Sequence, residues 1–134
     1  MTKYKAQINP RQEMKEKTIA KGTTAHVTAK NVSIGEQPVS MMYETVIRYH
    51  WTDILTVYAS DLTNDVYVQI CTNGWRTATT KRRINDMLRM MGVKAYIYQQ
   101  RGDWYLVYTD SDGKNHEERF FEASGDIIVQ SIRL

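Results

Sequence analysis

Apolar residues recur with two different periods along this chain, and the change falls near residue 80. Upstream, β-branched and aromatic residues alternate with polar ones. Residues 25–34, 44–50, 54–59 and 66–72 read as strands on that alternation. Gly35, Glu36-Gln37-Pro38 and the polar run Asp61-Leu62-Thr63-Asn64-Asp65 separate them as turns. Downstream, Ile84, Met87, Leu88 and Met91 fall at i, i+3, i+4 and i+7, the single apolar face of a helix. Gly92 stands where a helix closes on a left-handed residue, and Thr79 or Thr80 is the predicted N-cap. Residues 93–99 and 104–109 then flank an Arg101-Gly102 turn. A second turn follows at Asp110-Ser111-Asp112-Gly113. Residues 117–122 and 127–132 are the last strands, parted by Ser124-Gly125-Asp126. The pattern predicts an α+β fold: a mainly antiparallel sheet of six to seven strands with one principal amphipathic helix over about residues 80–91.

Residues 1–22 break this pattern. Lys3, Lys5, Arg11, Lys15, Lys17 and Lys21 stand against Glu13 and Glu16, apolar residues are sparse, and Pro10 interrupts. The segment reads as a basic, mobile or loosely docked arm that adds phosphate contacts. A short helix over residues 11–20, using Met14 and Ile19, is the local structure expected there. Residues 23–134 are then a single domain.

Composition narrows the classes. At 134 residues, 42% hydrophobic and 25% charged, the chain has the makings of one folded domain with a core. The net charge of +3 and pI near 9.0 lean basic. A modest sum can conceal a one-sided distribution. Cys71 is the only cysteine, which excludes an intramolecular disulfide and a cysteine-based zinc finger. It sits in a strand-like run and is expected to be a buried thiol. No apolar stretch approaches the ~20 residues of a membrane span, and the N-terminus lacks the apolar core of a secretory signal. No membrane partner is expected.

The densest chemistry lies in Asn73-Gly74-Trp75-Arg76-Thr77-Ala78-Thr79-Thr80-Lys81-Arg82-Arg83. A turn, an aromatic, three hydroxyls and four positive charges occur without one acid, directly before the helix. A helix N-terminus flanked by hydroxyls and cations favours a phosphate. The predicted anion site is Trp75, Arg76, Thr77, Thr79, Thr80, Lys81, Arg82 and Arg83, with Arg89 on the outward helix face beside Arg82, Asn85 and Asp86. The Gly and Lys-Ser/Thr spacing of a P-loop is absent. Plain capping with a solvated basic face explains the same residues equally well.

Elsewhere the signals are weaker. Tyr96, Tyr98, Trp104, Tyr105 and Tyr108 crowd into one hairpin. Exposed aromatics can stack bases, but cross-strand packing is the simpler account. Tyr96 and Tyr98 are predicted on one face, and Trp104, Leu106 and Tyr108 on one face opposite Tyr105 and Val107. His26, His50 and His116 lack metal-ligand spacing, and His50 with Asp53 is a weak pair. Asp110, Asp112 and Asn115 around Gly113 resemble the start of a calcium loop without its terminal Glu. Glu117, Glu118 and Glu122 form no nucleophile–base set. Neither a catalytic residue, a metal site nor a cofactor is predicted.

The run from Gly74 to Asn85 resembles a motif of small proteins of tailed bacteriophages. In those proteins a strand like Thr45-Val46-Ile47-Arg48 precedes it, and a hairpin like Gln100-Arg101-Gly102-Asp103-Trp104-Tyr105 follows. The resemblance covers roughly residues 44–109. It implies a phage origin and a small accessory protein in the cytoplasm of a bacterial host, and it brings no activity with it. The expected function is non-enzymatic binding of nucleic acid, DNA or RNA, through the basic helix N-terminus. Two alternatives use other chemistry. One is a nucleotide or small-anion binder that sequesters a host signal. The other is a protein–protein module, acting as a host-enzyme inhibitor or a virion component through the aromatic hairpin.

Overall fold

The computed structural model describes residues 4–74, 76–120 and 126–134, the last stretch by its backbone up to residue 131. Among them are nine strands and one helix. In order they are β1 (Met14–Ala20), β2 (Thr23–Ile34), β3 (Gln37–Tyr49), β4 (Thr52–Ser60), β5 (Asp65–Cys71), α1 (Ala78–Met90), β6 (Ala95–Gln100), β7 (Asp103–Thr109), β8 (Asn115–Arg119) and β9 (Asp126–Arg133). The α+β plan is as expected, with more strands than the six to seven predicted. They divide into two antiparallel sheets, β1-β2-β3-β4-β5-β9 and β6-β7-β8.

Strand alternation decides which residues meet. Ala25, Val27, Ile47, Leu55, Val57, Val66, Val68 and Ile70 are buried on one face of the large sheet. Ile84, Met87, Leu88 and Met91 of α1, with Ile97, Trp104, Leu106 and Phe120 of the small-sheet region, join them in one core. The opposite face of the large sheet keeps polar residues such as Arg48, Glu44 and Thr28, as a half-solvated antiparallel sheet should.

The helix ends largely as its sequence dictates. Val93 N–H donates to Leu88 O and Gly92 N–H to Arg89 O, at 2.9 and 3.1 Å. With Gly92 at φ +77°, this is a Schellman closure. The start differs by two or three residues. Thr77 is the N-cap, and its hydroxyl accepts from Thr80 N–H at 3.1 Å. Thr79 and Thr80 lie inside the first turn.

Two expectations fail for long-range reasons. Residues 14–20 form β1, an edge strand paired with β2, where a short helix was expected. Ile19 and Ile8 are buried at 0% and 3%, so the N-terminal segment packs into the same core as the rest. Asn85, expected on the outward helix face, instead turns to the small sheet. Its amide donates to Ile97 O at 2.9 Å and its carbonyl oxygen accepts from Ile97 N–H at 2.6 Å. A side-chain amide thereby closes the free edge of β6, which otherwise would expose unpaired backbone. The predicted turn at residues 124–125 lies outside the described residues.

Candidate functional site

The segment before α1 divides into two groups with different fates. Asn73 and Gly74 form the predicted tight turn, at φ +50° and +80°. Beyond it, Thr77, Thr79 and Thr80 line a cavity of about 720 Å³, together with Tyr49, His50, Trp51, Thr52, Ile54, Thr72 and Asn73. That volume suits a small organic ligand or one unit of a polymer, for which pockets of ~300–1,000 Å³ are usual. Among the described residues, its lining carries hydroxyls, one amide, one imidazole and two further aromatic rings, and no carboxylate, lysine or arginine.

One wall is the two-residue turn between β3 and β4. Tyr49 pairs with Thr52, so His50 and Trp51 form the turn itself. His50 has φ +54°, a left-handed conformation that favours glycine. Its backbone N–H donates to Gly22 O at 2.7 Å, and its ring lies 4.3 Å from that of Tyr49, centroid to centroid. The same ring fills the space above Gly22, where a Cβ would come within 2.7 Å of it. His50 is thus wedged in place. Trp51 is thrust outward, with 97% of its surface exposed. A fully solvated indole is unusual, because tryptophan is highly buried on average.

The cationic group does not gather around the cavity. Arg83 turns inward and is 8% exposed. Its guanidinium lies 5.6 Å from the Tyr4 ring centroid and donates to the Tyr4 hydroxyl at 3.3 Å. Tyr4 in turn donates to Asp86 Oδ2 at 2.5 Å. Burial, and then the bond to Asp86, pushes the Tyr4 pKa up. Arg83 was expected in the anion site. It is instead a core tether for the N-terminal segment. Arg89 is outward as predicted but pairs with Asp86 Oδ1 at 2.7 Å. Arg76 lies over the Phe120 ring at 5.9 Å. Lys81 donates to Gln99 Oε1 at 3.4 Å. Arg82 is exposed. Trp75 lies outside the described residues.

Tyr49, His50 and Trp51 escaped the sequence reading, which weighed His50 only beside Asp53 as a metal pair. Asp53 binds Arg48 instead, at 2.7 Å. The available signal was a tryptophan placed in a two-residue turn between β-branched strands. The tyrosine parity in the second hairpin is as predicted. Trp104, Leu106 and Tyr108 face inward, while Tyr98 and Tyr105 stack on the other face at 5.1 Å and 15°. Cys71, expected buried, is partly exposed. The Asp110 turn is an ordinary side-chain cap: its carboxylate accepts from Asp112 N–H and Lys114 N–H, both at 2.9 Å. Among the described residues, no three His, Cys, Asp or Glu side chains gather as metal ligands.

Fold and site together define a small two-sheet α+β protein with a surface cavity between a strand turn and a helix start. The chain belongs to the family described as Kyanoviridae Gp96 protein, whose model matches residues 3–128. It is thus a protein of tailed cyanophages, and the match extends well beyond the residues 44–109 on which the resemblance rested. No curated protein and no solved structure matches the chain. Among the described residues, no helix is long and apolar enough to cross a membrane.

Proposed function

We propose that this phage protein binds single-stranded nucleic acid without catalysis, holding one base against Trp51 at the mouth of the threonine-lined cavity. The observation that carries this reading is the Trp51 indole, 97% exposed beside a preformed cavity. Every base has a π-face, so a solvated indole on a rigid turn grips a strand regardless of sequence. The hydroxyls of Thr77 and Thr79 and the amide of Asn73 are hydrogen-bonding groups for the sugar–phosphate that follows the base. The first turn of α1 carries no acid to repel it. Lys21 and Arg82, both exposed, add long-range charge.

Anisotropy titration with a labelled oligothymidylate tests this. Binding is expected at low salt, weakening as salt rises. Trp51→Ala is expected to lower affinity ~5–150-fold, the equivalent of ~1–3 kcal/mol per stacked base, without changing the circular dichroism spectrum. Absence of binding at low salt overturns the proposal. If mononucleotides compete as well as oligonucleotides, the alternative of a nucleotide-sequestering protein replaces it, because a strand binder gains from each added phosphate.

A further inference from the structure

The β2–β3 hairpin outruns the sheet that carries it. Pairing of β1 with β2 stops at Met14 and Val27, and pairing of β4 with β3 stops at Met42 and Ser60. Beyond those points β2 and β3 continue alone to the Gly35-Glu36 turn. Every residue from Asn31 to Val39 is exposed, including Val32 at 39%, Ile34 at 74% and Val39 at 46%. A two-stranded ribbon with neither face covered is marginal in water.

The two edges of this arm are not alike. On the β3 edge, Asp61 closes the end of the ladder. Its carboxylate accepts from Met41 N–H at 3.1 Å, and its own N–H donates to Met41 O at 3.2 Å. Farther out, Pro38 has no N–H to offer, a usual guard on an edge strand. The β2 edge has neither device. His50 N–H reaching Gly22 O shows that even-numbered residues of β2 face β3. Strand alternation then points the backbone N–H and C=O of Ala29, Asn31 and Ser33 away from β3, into the space that β1 has left.

We infer that this edge pairs with the same edge of a second copy of the chain, antiparallel about a two-fold axis at Val32. An isologous contact of this kind uses one surface twice, and strand addition is a common way to satisfy an open edge. The arm's own residues select both the partner and the register. With Val32 opposite Val32 of the second copy, Asn31 and Ser33 exchange backbone hydrogen bonds across the axis. Val32 then meets Val32 at a close, non-hydrogen-bonded position. The Lys30 stem covers Ile34 of the second copy. Lys30 and Glu36 are the only charged residues between Thr28 and Tyr43, and in this register each lies diagonal to its opposite on the other copy, within reach of a long side chain. The turn at Gly35 stops level with Ala29, so it clears Met14 at the start of β1. A register one residue pair longer would bring the two together.

Sedimentation equilibrium at about 100 µM, a concentration suited to a small and weak interface, is expected to show a species of twice the 15.6 kDa chain mass. Asn31→Pro removes one outward N–H without touching the β2–β3 ladder and is expected to leave only monomer. Lys30→Glu is expected to weaken the dimer, and Lys30→Glu with Glu36→Lys to restore it. For register, Val32→Cys in a Cys71→Ser background is expected to cross-link under mild oxidation faster than Ile34→Cys. A monomeric wild-type chain overturns the inference. So does a dimer indifferent to Asn31→Pro whose Val32→Cys variant fails to cross-link preferentially.

Discussion

The threonines and the basic residues around the start of α1 sit side by side in sequence and meet opposite fates. Thr77 and Thr79 open onto a cavity. Arg83, Lys81, Arg76 and Arg89 each engage a neighbour: Tyr4, Gln99, the Phe120 ring and Asp86. A run of positive charge in a sequence is therefore not yet a positive surface. What separates the two groups is reach. A threonine hydroxyl stays near its own backbone and so remains where the helix start puts it. An arginine spans far enough to find an aromatic ring or carboxylate elsewhere, and the buried end of its stem adds packing when it does.

The largest difference in effect is expected between Arg83 and Arg82. Arg83→Ala removes a hydrogen bond and a cation–π contact from a site 8% exposed. It also takes away the cation on the Tyr4 side of the Tyr4–Asp86 pair, leaving only Arg89 on Asp86. A loss of about 2–3 kcal/mol is expected, read as a lower urea midpoint. Arg82→Ala, one residue away and exposed, is expected to stay within about 0.5 kcal/mol of wild type. Equal effects would mean that the two side chains share one environment, which would undo the distinction.

Thr77→Ala addresses the hydroxyl group. Thr77 both caps the helix, accepting from Thr80 N–H, and holds the Thr80 hydroxyl at 3.0 Å. Loss of the cap is expected to cost about 1 kcal/mol. Thr79→Ala, which removes a cavity hydroxyl without removing the cap, is expected to change stability by less than half of that. If both lower oligonucleotide affinity while only Thr77→Ala lowers the urea midpoint, structural and binding roles are separated within one turn of helix.

The sequence revealed what local pattern controls. Period-two alternation located every strand but β1, with shifts of a few residues at their ends except at β3, which begins at Gln37 and not near residue 44. The Ile84, Met87, Leu88 and Met91 stripe and Gly92 located the helix and its closure. What stayed hidden depends on contacts far along the chain. Residues 14–20 carry weak helical spacing, but pairing with β2 and burial of Ile19 make them a strand. The inward turn of Arg83 needs Tyr4, 79 positions away. The cavity was half legible: Thr77, Thr79 and Thr80 follow from the helix start, whereas its other wall comes from the β3–β4 turn, which nothing near residue 77 announces. The arm was missed for a related reason. Glu36-Gln37-Pro38 read as a turn, yet Pro38 lies within β3 on an outer edge, where its missing N–H interrupts no ladder.

The same question, whether a polar end is engaged or free, divides the aromatic residues and yields the smallest effect. Trp51 stands exposed at its turn. Tyr98, also on the surface, donates to Glu117 Oε1 at 2.5 Å and stacks on Tyr105. That bond to Glu117, with lesser help from desolvation, pushes the Tyr98 pKa up to about 12. The folded form thus holds the tyrosine proton more tightly than the unfolded chain, whose tyrosine titrates near 10. Any stability from this pair is fully present below pH 10 and fades as pH rises towards 12. Tyr108, hydrogen-bonded to Glu118 at 3.0 Å, is also raised to about 12, chiefly by burial. Glu117→Gln separates the two. Followed by tyrosinate absorbance, it is expected to return one half-buried tyrosine, Tyr98, towards the ordinary range and leave the Tyr108 transition in place, with little change in stability near neutral pH. An unchanged titration curve would mean that the Tyr98 hydroxyl is as free as the Trp51 indole. The tyrosine face would then rival Trp51 as the stacking surface.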